Sequence, residues 1–331
     1  MKSQMRGERF GMNKKISIVI PCYRSENTIE YVVNLIDETM KTHTEYDYEV
    51  ILVNDGSPDN TFEVISKLAI QDEHILAIDL SRNFGQHSAL MAGYSMVTGD
   101  YVLGMDDDGE HDPREMFKLI EELEKGYDYV CAKFPSTNHS LYKRLGSKFN
   151  DWMATRFIGK PKGAIFSSFY VMRRYVVDEI VKSTNPYPYV GGMLVSVTKR
   201  LSYVSIEHCS RYAGESSYHF KNSVSLWVNG ITAYSVKPLW GASILGILFD
   251  LVGIIIALVL FVRKIVNPEV LIGMGLCMAC VFLVNGIVMI LLGLIGEYIG
   301  RIYMLSNHIP QYTIRQVINK KGMEIRGKND V

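Results

Sequence analysis

This chain has no excess charge of either sign: across 331 residues, 35 Lys and Arg balance 35 Asp and Glu. That balance removes the electrostatic footprint a nucleic-acid partner would demand. Cysteine is sparse and odd in number, with five residues at Cys22, Cys131, Cys209, Cys277 and Cys280. A disulfide framework is thereby excluded, and a reducing compartment suits the count. Cys277 and Cys280 have C-x-x-C spacing but sit inside an apolar run, where small packing residues are the better account than zinc. No internal repeat or low-complexity tract is present. The opening MKSQMRGERFGMNKK is polar and basic without an apolar core, so no secretory signal is expected.

Strongly polar side chains are nearly missing from two further stretches, 239–262 and 270–296, broken only by Asp250 and Asn285. Each exceeds the roughly 20 residues that a bilayer-crossing helix needs. The linker RKIVNPE between them is too short for a domain and carries Asn-Pro, so two transmembrane spans are expected to form a hairpin returning the chain to its starting side. Lys237, Arg301, Arg315, Lys320, Lys321, Arg326 and Lys328 lie on that side, against Arg263 and Lys264 in the loop. This bias puts the domain and the tail in the cytoplasm. Residues 218–238 mix Phe220, Trp227 and Tyr234 with Lys221 and Lys237 and read as an amphipathic segment in the headgroup region. Residues 304–331 read as a cytoplasmic tail, polar and mobile from Lys320. Asp250 and Glu297 are intramembrane acids; Glu297 has a plainer role as the i,i+4 partner of Arg301, and Asp250 as a buried group against the other span or a neighbouring subunit.

Residues 1–217 alternate strand and helix signals, an α/β pattern on a mainly parallel sheet. Strands are expected over 15–21, 48–56, 74–81, 100–106, 127–133, 166–171 and 201–207. Helices are expected over 26–41, 61–71 and 86–97, after Asp112, and around 149–158. Asp112 is a helix N-cap by this reading, with Pro113 at the first helical position and Glu115 closing a capping box. Ligands of such sheets collect at the carboxyl ends of the strands, and these ends carry Cys22-Tyr23, Asn54-Asp55, Arg82-Asn83 and Asp106-Asp107-Asp108. Mg²⁺ and Mn²⁺ prefer oxygen ligands and take only one or two carboxylates, completing their shell with phosphate oxygens and water. Asp106 and Asp108, two apart on extended chain, face the same way. A lone acidic triplet is more often a solvated turn; four polar strand exits at one rim make a site.

SIVIPCYRSENTI, EVILVNDGSPDNT, DLSRNFGQHSALMAGYSMVTGDYVLGMDDDGEHDP, RYAGESSYHF, NGITAYSVKPL and LLGLIGEYIGRIY, in that order, resemble the membrane-anchored family 2 glycosyltransferases that load a sugar onto a polyprenyl phosphate. The resemblance runs over about residues 15–303. It implies a GT-A domain followed by the hairpin, a nucleotide-sugar donor, undecaprenyl phosphate as acceptor, Mg²⁺ or Mn²⁺ as cofactor, a bacterial cytoplasmic membrane, and a homo-oligomer, tetrameric in relatives. Pro21, Cys22, Tyr23, Glu26 and Asp55 would hold the base and ribose, Arg82 and Gly85 would lie by the nucleotide-sugar, and Asp106 and Asp108 would bind metal and diphosphate. Asp55 can accept the imide N–H of uracil and Tyr23 can offer a ring face, which favours UDP; UDP-glucose is the single donor expected.

The implied chemistry is inverting displacement at the anomeric carbon by an acceptor phosphate, already ionised near neutral pH with a second pKa of about 6. A dedicated base is not required. Cationic side chains must hold that phosphate, and Arg211 corresponds to the family's basic residue, with Arg174 and its neighbour Arg173 as further candidates. Two departures stand out. Ser167-Ser168-Phe169 replaces the family's Gly-Asp-Phe, so Ser168 brings a hydroxyl to the acceptor side and proton handling falls to Asp107, Asp108 or no residue. Ser217 stands where relatives carry Lys. A processive polysaccharide synthase is disfavoured because none of Trp152, Trp227 or Trp240 follows an Arg and two spans make no pore. A non-catalytic membrane scaffold retaining the fold finds support only in Ser168 and Ser217.

Overall fold

Apolar side chains fill both faces of the segment KKISIVIPC, where Ile16, Ile18, Val19 and Ile20 are fully buried. A strand buried on both faces belongs at the centre of a parallel sheet. In the computed structural model, which describes residues 13–134, 155, 161, 163–206, 237–267 and 274–320, this strand is β1, Lys14–Cys22. β2 (Tyr46–Asn54) and β4 (Tyr101–Gly104) flank it, and β3 (Ile75–Leu80) lies beyond β2, all parallel. The helices between them are α1 (Ile29–Lys41), α2 (Thr61–Gln71) and α3 (Gln86–Tyr94). α1 buries Ile29, Val32, Val33, Ile36 and Met40, a helical-period stripe against the sheet.

After β4 the parallel order gives way. One 3₁₀ turn, Pro113–Glu115, is capped by Asp112, whose carboxylate accepts the Arg114 amide, and it leads into α4 (Met116–Glu124). The expected cap is thus present. β5 (Tyr129–Lys133), β6 (Tyr170–Arg173) and β7 (Leu201–Ser205) extend the sheet, with β6 antiparallel to both β4 and β5. Two short helices, α5 (Arg174–Ile180) and α6 (Val190–Val197), lie between β6 and β7.

The sheet has eight strands in the order β7-β5-β6-β4-β1-β2-β3-β8. Its last member corrects an expectation. β8 (Ile314–Ile318), in the stretch read as a tail, pairs antiparallel with β3. A five-residue strand with a single buried residue, Val317, is too weakly patterned to be recognised without its partner.

The chain divides into two compact units: Met1–Thr155 with Gly159–His219 and Pro310–Val331, and Arg156–Ile158 with Phe220–Ile309. The second contains α7 (Lys237–Val266, 30 residues) and α8 (Met274–Ser306, 33 residues). Within α8, residues 284–306 are long and apolar enough to cross a membrane; in α7, 251–263 is a shorter apolar stretch. The Asn285 side-chain amide donates to the Val281 carbonyl of its own helix, at 2.9 Å, which reduces the need for a partner elsewhere. The expected helix around 149–158, the amphipathic segment before Lys237 and the chain beyond Lys320 lie almost wholly outside the described residues.

Gly104 closes β4 one residue before Met105 and the acidic triplet, and a Cβ there would overlap the buried Tyr170 ring, whose hydroxyl bonds that of Tyr94. Gly104→Ala should cost about 1–3 kcal/mol through overpacking. Thermal unfolding of the purified protein would then shift down, and an unchanged midpoint would show that the ring has room to move.

Candidate active site

The order β3-β2-β1-β4 reverses direction of progression at β1, and the crevice outside such a reversal is where open α/β sheets take ligands. Four strand exits meet there, and each is tied to the next. At the β2 exit, Asp55 is buried and its two carboxylate oxygens accept the backbone amides of Phe84 (2.7 Å) and Gly85 (2.9 Å). The NDGS turn and the RNFG loop are therefore joined through one side chain. Burial raises the Asp55 pKa above the ordinary carboxylate range, opposed by these two amides.

Gly56 stands at φ 59°, and a Cβ there would collide with the backbone of Arg82 and Asn83. Glycine is required on both counts. Gly85 has φ 92°, which turns the chain into α3. Arg82 lies over the Phe84 ring at 3.9 Å and stays exposed.

At the β1 exit, Pro21 lies within the strand opposite Val53, and Tyr23 is 45% exposed, with Arg24 over its ring at 5.6 Å. A free aromatic face beside a cation suits a base and its phosphates. Glu26 accepts the Asn60 amide at 3.0 Å, and Arg24 donates its amide to Ser57 Oγ at 3.0 Å. These bonds stitch the β1 and β2 loops together.

The acidic triplet divides by direction. Asp107 turns inward: its Oδ2 accepts the Tyr23 amide at 3.2 Å and the Ser25 hydroxyl. Burial pushes its pKa up to about 6, against the Ser25 and Tyr23 hydrogen bonds. Asp107 thus braces the β1 exit. Asp106 accepts from the Gln86 amide group at 3.1 Å, and Asp108 accepts the Glu110 amide at 3.1 Å. All three side chains remain partly exposed.

Sequence reading missed His111, although it lies inside the segment that drew most notice. It is buried, stacked on Phe169 at 5.1 Å and Phe134 at 5.7 Å. Its Nδ1 accepts the Asp106 amide at 3.2 Å, which puts the proton of the neutral ring on Nε2, 3.5 Å from Ser168 Oγ and 4.0 Å from Asp106 Oδ2. Ser168 is thereby brought to the rim. A histidine five residues after the first Asp was the available signal.

Arg174 is not brought there. Its amide donates to the Asp100 carbonyl at 3.0 Å and its Nε to Asp178 at 2.7 Å, at the amino end of β4 and hence the opposite end of the sheet. It lines a cavity of 830 Å³ with Lys14, Lys15, Arg173 and Arg200, where Lys14 pairs with Glu124 and Lys15 with Glu49. The expected acceptor role for Arg174 is withdrawn on that geometry. Arg211 lies outside the described residues.

The donor set fits a hard divalent cation. Two carboxylates at the rim leave most of a coordination shell to ligand oxygens, and among the described residues no cluster of three or more His, Cys, Asp or Glu is gathered to complete it. The soft ligand nearby is withheld: burial pushes the Cys22 thiol up, and its Sγ donates to the Ile20 carbonyl at 3.4 Å.

His87, next to Gln86 at the start of α3, meets the Tyr189 ring edge-on at 5.3 Å, and among the described residues its Nδ1 has no partner. Burial lowers its pKa from 6.5 to about 4. The unfolded chain therefore binds this proton first, so stability present above about pH 6.5 falls as pH drops toward 4. Replacing His87→Leu should flatten that part of a denaturation profile taken between pH 4 and 7; an unaltered slope would assign it to other groups.

A profile of the family described as Glycosyl transferase family 2 matches residues 17–181. The undecaprenyl-phosphate 4-deoxy-4-formamido-L-arabinose transferase of Proteus mirabilis is 31% identical over 312 residues, covering 93% of this chain and 95% of the relative. Its counterpart in Yersinia enterocolitica is 32% identical over 314 residues, with 94% and 96% covered. Among solved structures, glucosyl-3-phosphoglycerate synthase from Mycobacterium tuberculosis, in complex with Mn²⁺, UDP-glucose and phosphoglyceric acid, superposes with a TM-score of 0.50 at 16% identity, over 66% of this chain and 78% of that one. This likeness is one of fold, the GT-A arrangement. With relatives at 31–32% identity matched over nearly their whole length, the chain belongs to glycosyl transferase family 2 and is a glycosyltransferase.

Proposed function

We propose that the protein transfers a sugar, with inversion, from a UDP-sugar to undecaprenyl phosphate at the cytoplasmic surface of a bacterial membrane. What supports this reading is the run of hydrogen bonds that ties Tyr23 to Asp107, Gly85 to Asp55 and Gln86 to Asp106 across neighbouring strand exits. Relatives matched over nearly their full length are named undecaprenyl-phosphate 4-deoxy-4-formamido-L-arabinose transferases. UDP-glucose and UDP-4-deoxy-4-formamido-L-arabinose are the donors to test first, the second because those relatives are named for that sugar.

Tyr23 offers its ring to the base. Asp55 has one lone pair left on each oxygen after the Phe84 and Gly85 amides, so it can still accept an imide N–H while holding the loops. Asp106 and Asp108 would hold Mg²⁺ or Mn²⁺, which supplies positive charge against the departing diphosphate. Gln86 and His111 keep Asp106 in position from either side. The acceptor phosphate brings its own anionic oxygen, which is consistent with a serine at position 168; Ser168 and Arg211 are the acceptor-side residues proposed.

Chain connectivity sets the parity of any membrane crossing. β7 precedes the two long helices and β8 follows them, yet both strands belong to one sheet. Crossing a membrane once would pull hydrogen-bonded strands to opposite sides, so α7 and α8 cross together or not at all.

Incubating the purified protein with each UDP-sugar, undecaprenyl phosphate and MgCl₂ or MnCl₂ should yield a lipid-linked sugar. Asp108→Asn should lower turnover by about 10²–10³, the scale of losing one transition-state electrostatic contact, while Asp107→Asn, which keeps an acceptor for Ser25, retains most of it. Absence of a lipid product with every donor would overturn the proposal.

A further inference from the structure

We infer that Arg315, on the strand that follows the second long helix, is a positioning residue for the donor loop 54–57. This rests on the donor-site reading above and extends it to a segment outside the rim. Asp79, in β3, is fully buried, a costly place for a carboxylate without charged partners. Its Oδ2 accepts Arg315 Nε at 2.5 Å, with Nη2 also in contact, and its Oδ1 accepts the Asn54 side-chain amide at 2.7 Å.

Arg315 reaches Asp79 because the β3–β8 pairing slips there. Asp79 faces Gln316 and Leu80 faces Ile314, so Arg315 is the extra residue of a bulge. Bulges re-aim side chains, and this one aims a guanidinium, largely in solvent, at a carboxylate wholly out of it. The neighbouring chain is anchored as well, since the Ser81 amide donates to the Thr313 carbonyl at 2.9 Å and the Gln311 side chain to the Ser183 carbonyl at 2.5 Å.

Asn54 carries the effect onward. With its NH₂ turned to the carboxylate, its Oδ1 must face the other way, where it accepts the Ser57 amide at 3.1 Å. The reverse orientation would set oxygen against oxygen and N–H against N–H. Ser57 Oγ in turn accepts the Arg24 amide, and Asp55 lies between Asn54 and Gly56. A chain of bonds thus runs from β8 through Asp79 and Asn54 to both loops that flank the base.

The test uses the full-length protein in detergent. UDP with MnCl₂ is titrated calorimetrically, and amide exchange at Ser57 is followed without ligand. Arg315→Met should raise the UDP Kd roughly two- to thirty-fold, the span of coupling through packed and hydrogen-bonded networks, and speed exchange at Ser57; Arg315→Lys should recover part of both. Should Arg315→Met fail to fold for want of a partner to Asp79, the paired Asp79→Leu/Arg315→Met removes both charges and still leaves Asn54 unoriented, so the same two changes are expected. Val317→Ala, which loosens β8 without touching Asp79, should leave the Kd unchanged. Wild-type affinity and Ser57 exchange in the paired variant, or an equal loss of affinity in Val317→Ala, overturns the inference. If the unaltered protein fails to bind UDP, the donor-site reading falls, and the Ser57 exchange rates alone then decide whether Arg315 orders the loop.

Discussion

Both oxygens of Asp55 accept backbone amides from a loop thirty residues away, and the rest of the rim depends on that pair of bonds. Strand ends in a parallel sheet leave peptide groups that the sheet itself no longer satisfies, and those groups must find partners or face water. Here side chains of the neighbouring loops supply several of those partners. The β2 turn holds the β3 loop through Asp55, the β3 loop holds the β4 exit through Gln86 and Asp106, and the β4 exit holds the β1 exit through Asp107. Gly56 makes the first of these links possible, because the Arg82 and Asn83 backbone passes where any Cβ would stand. These loops are consequently tied to one another before any ligand arrives, which would lower the ordering cost of binding one.

Three consecutive aspartates look equivalent in the sequence but are not so in space. Each has its own partner: Asp106 accepts from Gln86 and Asp108 from the Glu110 amide. Asp107 is turned toward Ser25 and the Tyr23 amide, and burial keeps its proton affinity high. Position also separates the basic residues. Arg173 pairs across from Tyr101 at the amino end of β4, and Arg174 follows it, so their charge serves that end of the sheet. No amount of local phosphate-binding character can carry a side chain past the length of a strand.

The central strands were legible because their apolar runs, buried on both faces, are bounded by polar exits: 15–21, 48–56, 74–81 and 100–106 anticipate β1 to β4 within a few residues. β6 was misplaced by several residues, since Ser167, Ser168 and Phe169 resemble strand chemistry but lead into Tyr170–Arg173 rather than forming it. The rim residues that motif reading supplied, Tyr23, Asp55, Gly85, Asp106 and Asp108, do come together. His111 escaped because a histidine's use is decided by what surrounds it, here Phe134, Phe169 and the Asp106 amide, drawn from three parts of the chain. Asp79 escaped for the same reason: its partner is 236 residues away, and within its own strand it reads as a stray polar residue.

That long separation also constrains the two helices. Residues 237–306 form an excursion from a single sheet whose edge cannot be completed until the chain returns. β8 covers the outer side of β3, which would otherwise present a row of unpaired amides and carbonyls, a template for unwanted pairing. The excursion and the edge are thus one folding problem: until the chain has come back, the edge of β3 is open and Asp79 lacks its guanidinium partner. Such non-local closure is slow by its nature, because loop entropy must be met before the contacts that offset it form. β7 ends at Ser205 and β8 begins at Ile314, so a loop of 108 residues must close before β8 can complete the sheet, and its entropic cost rises only slowly with that length.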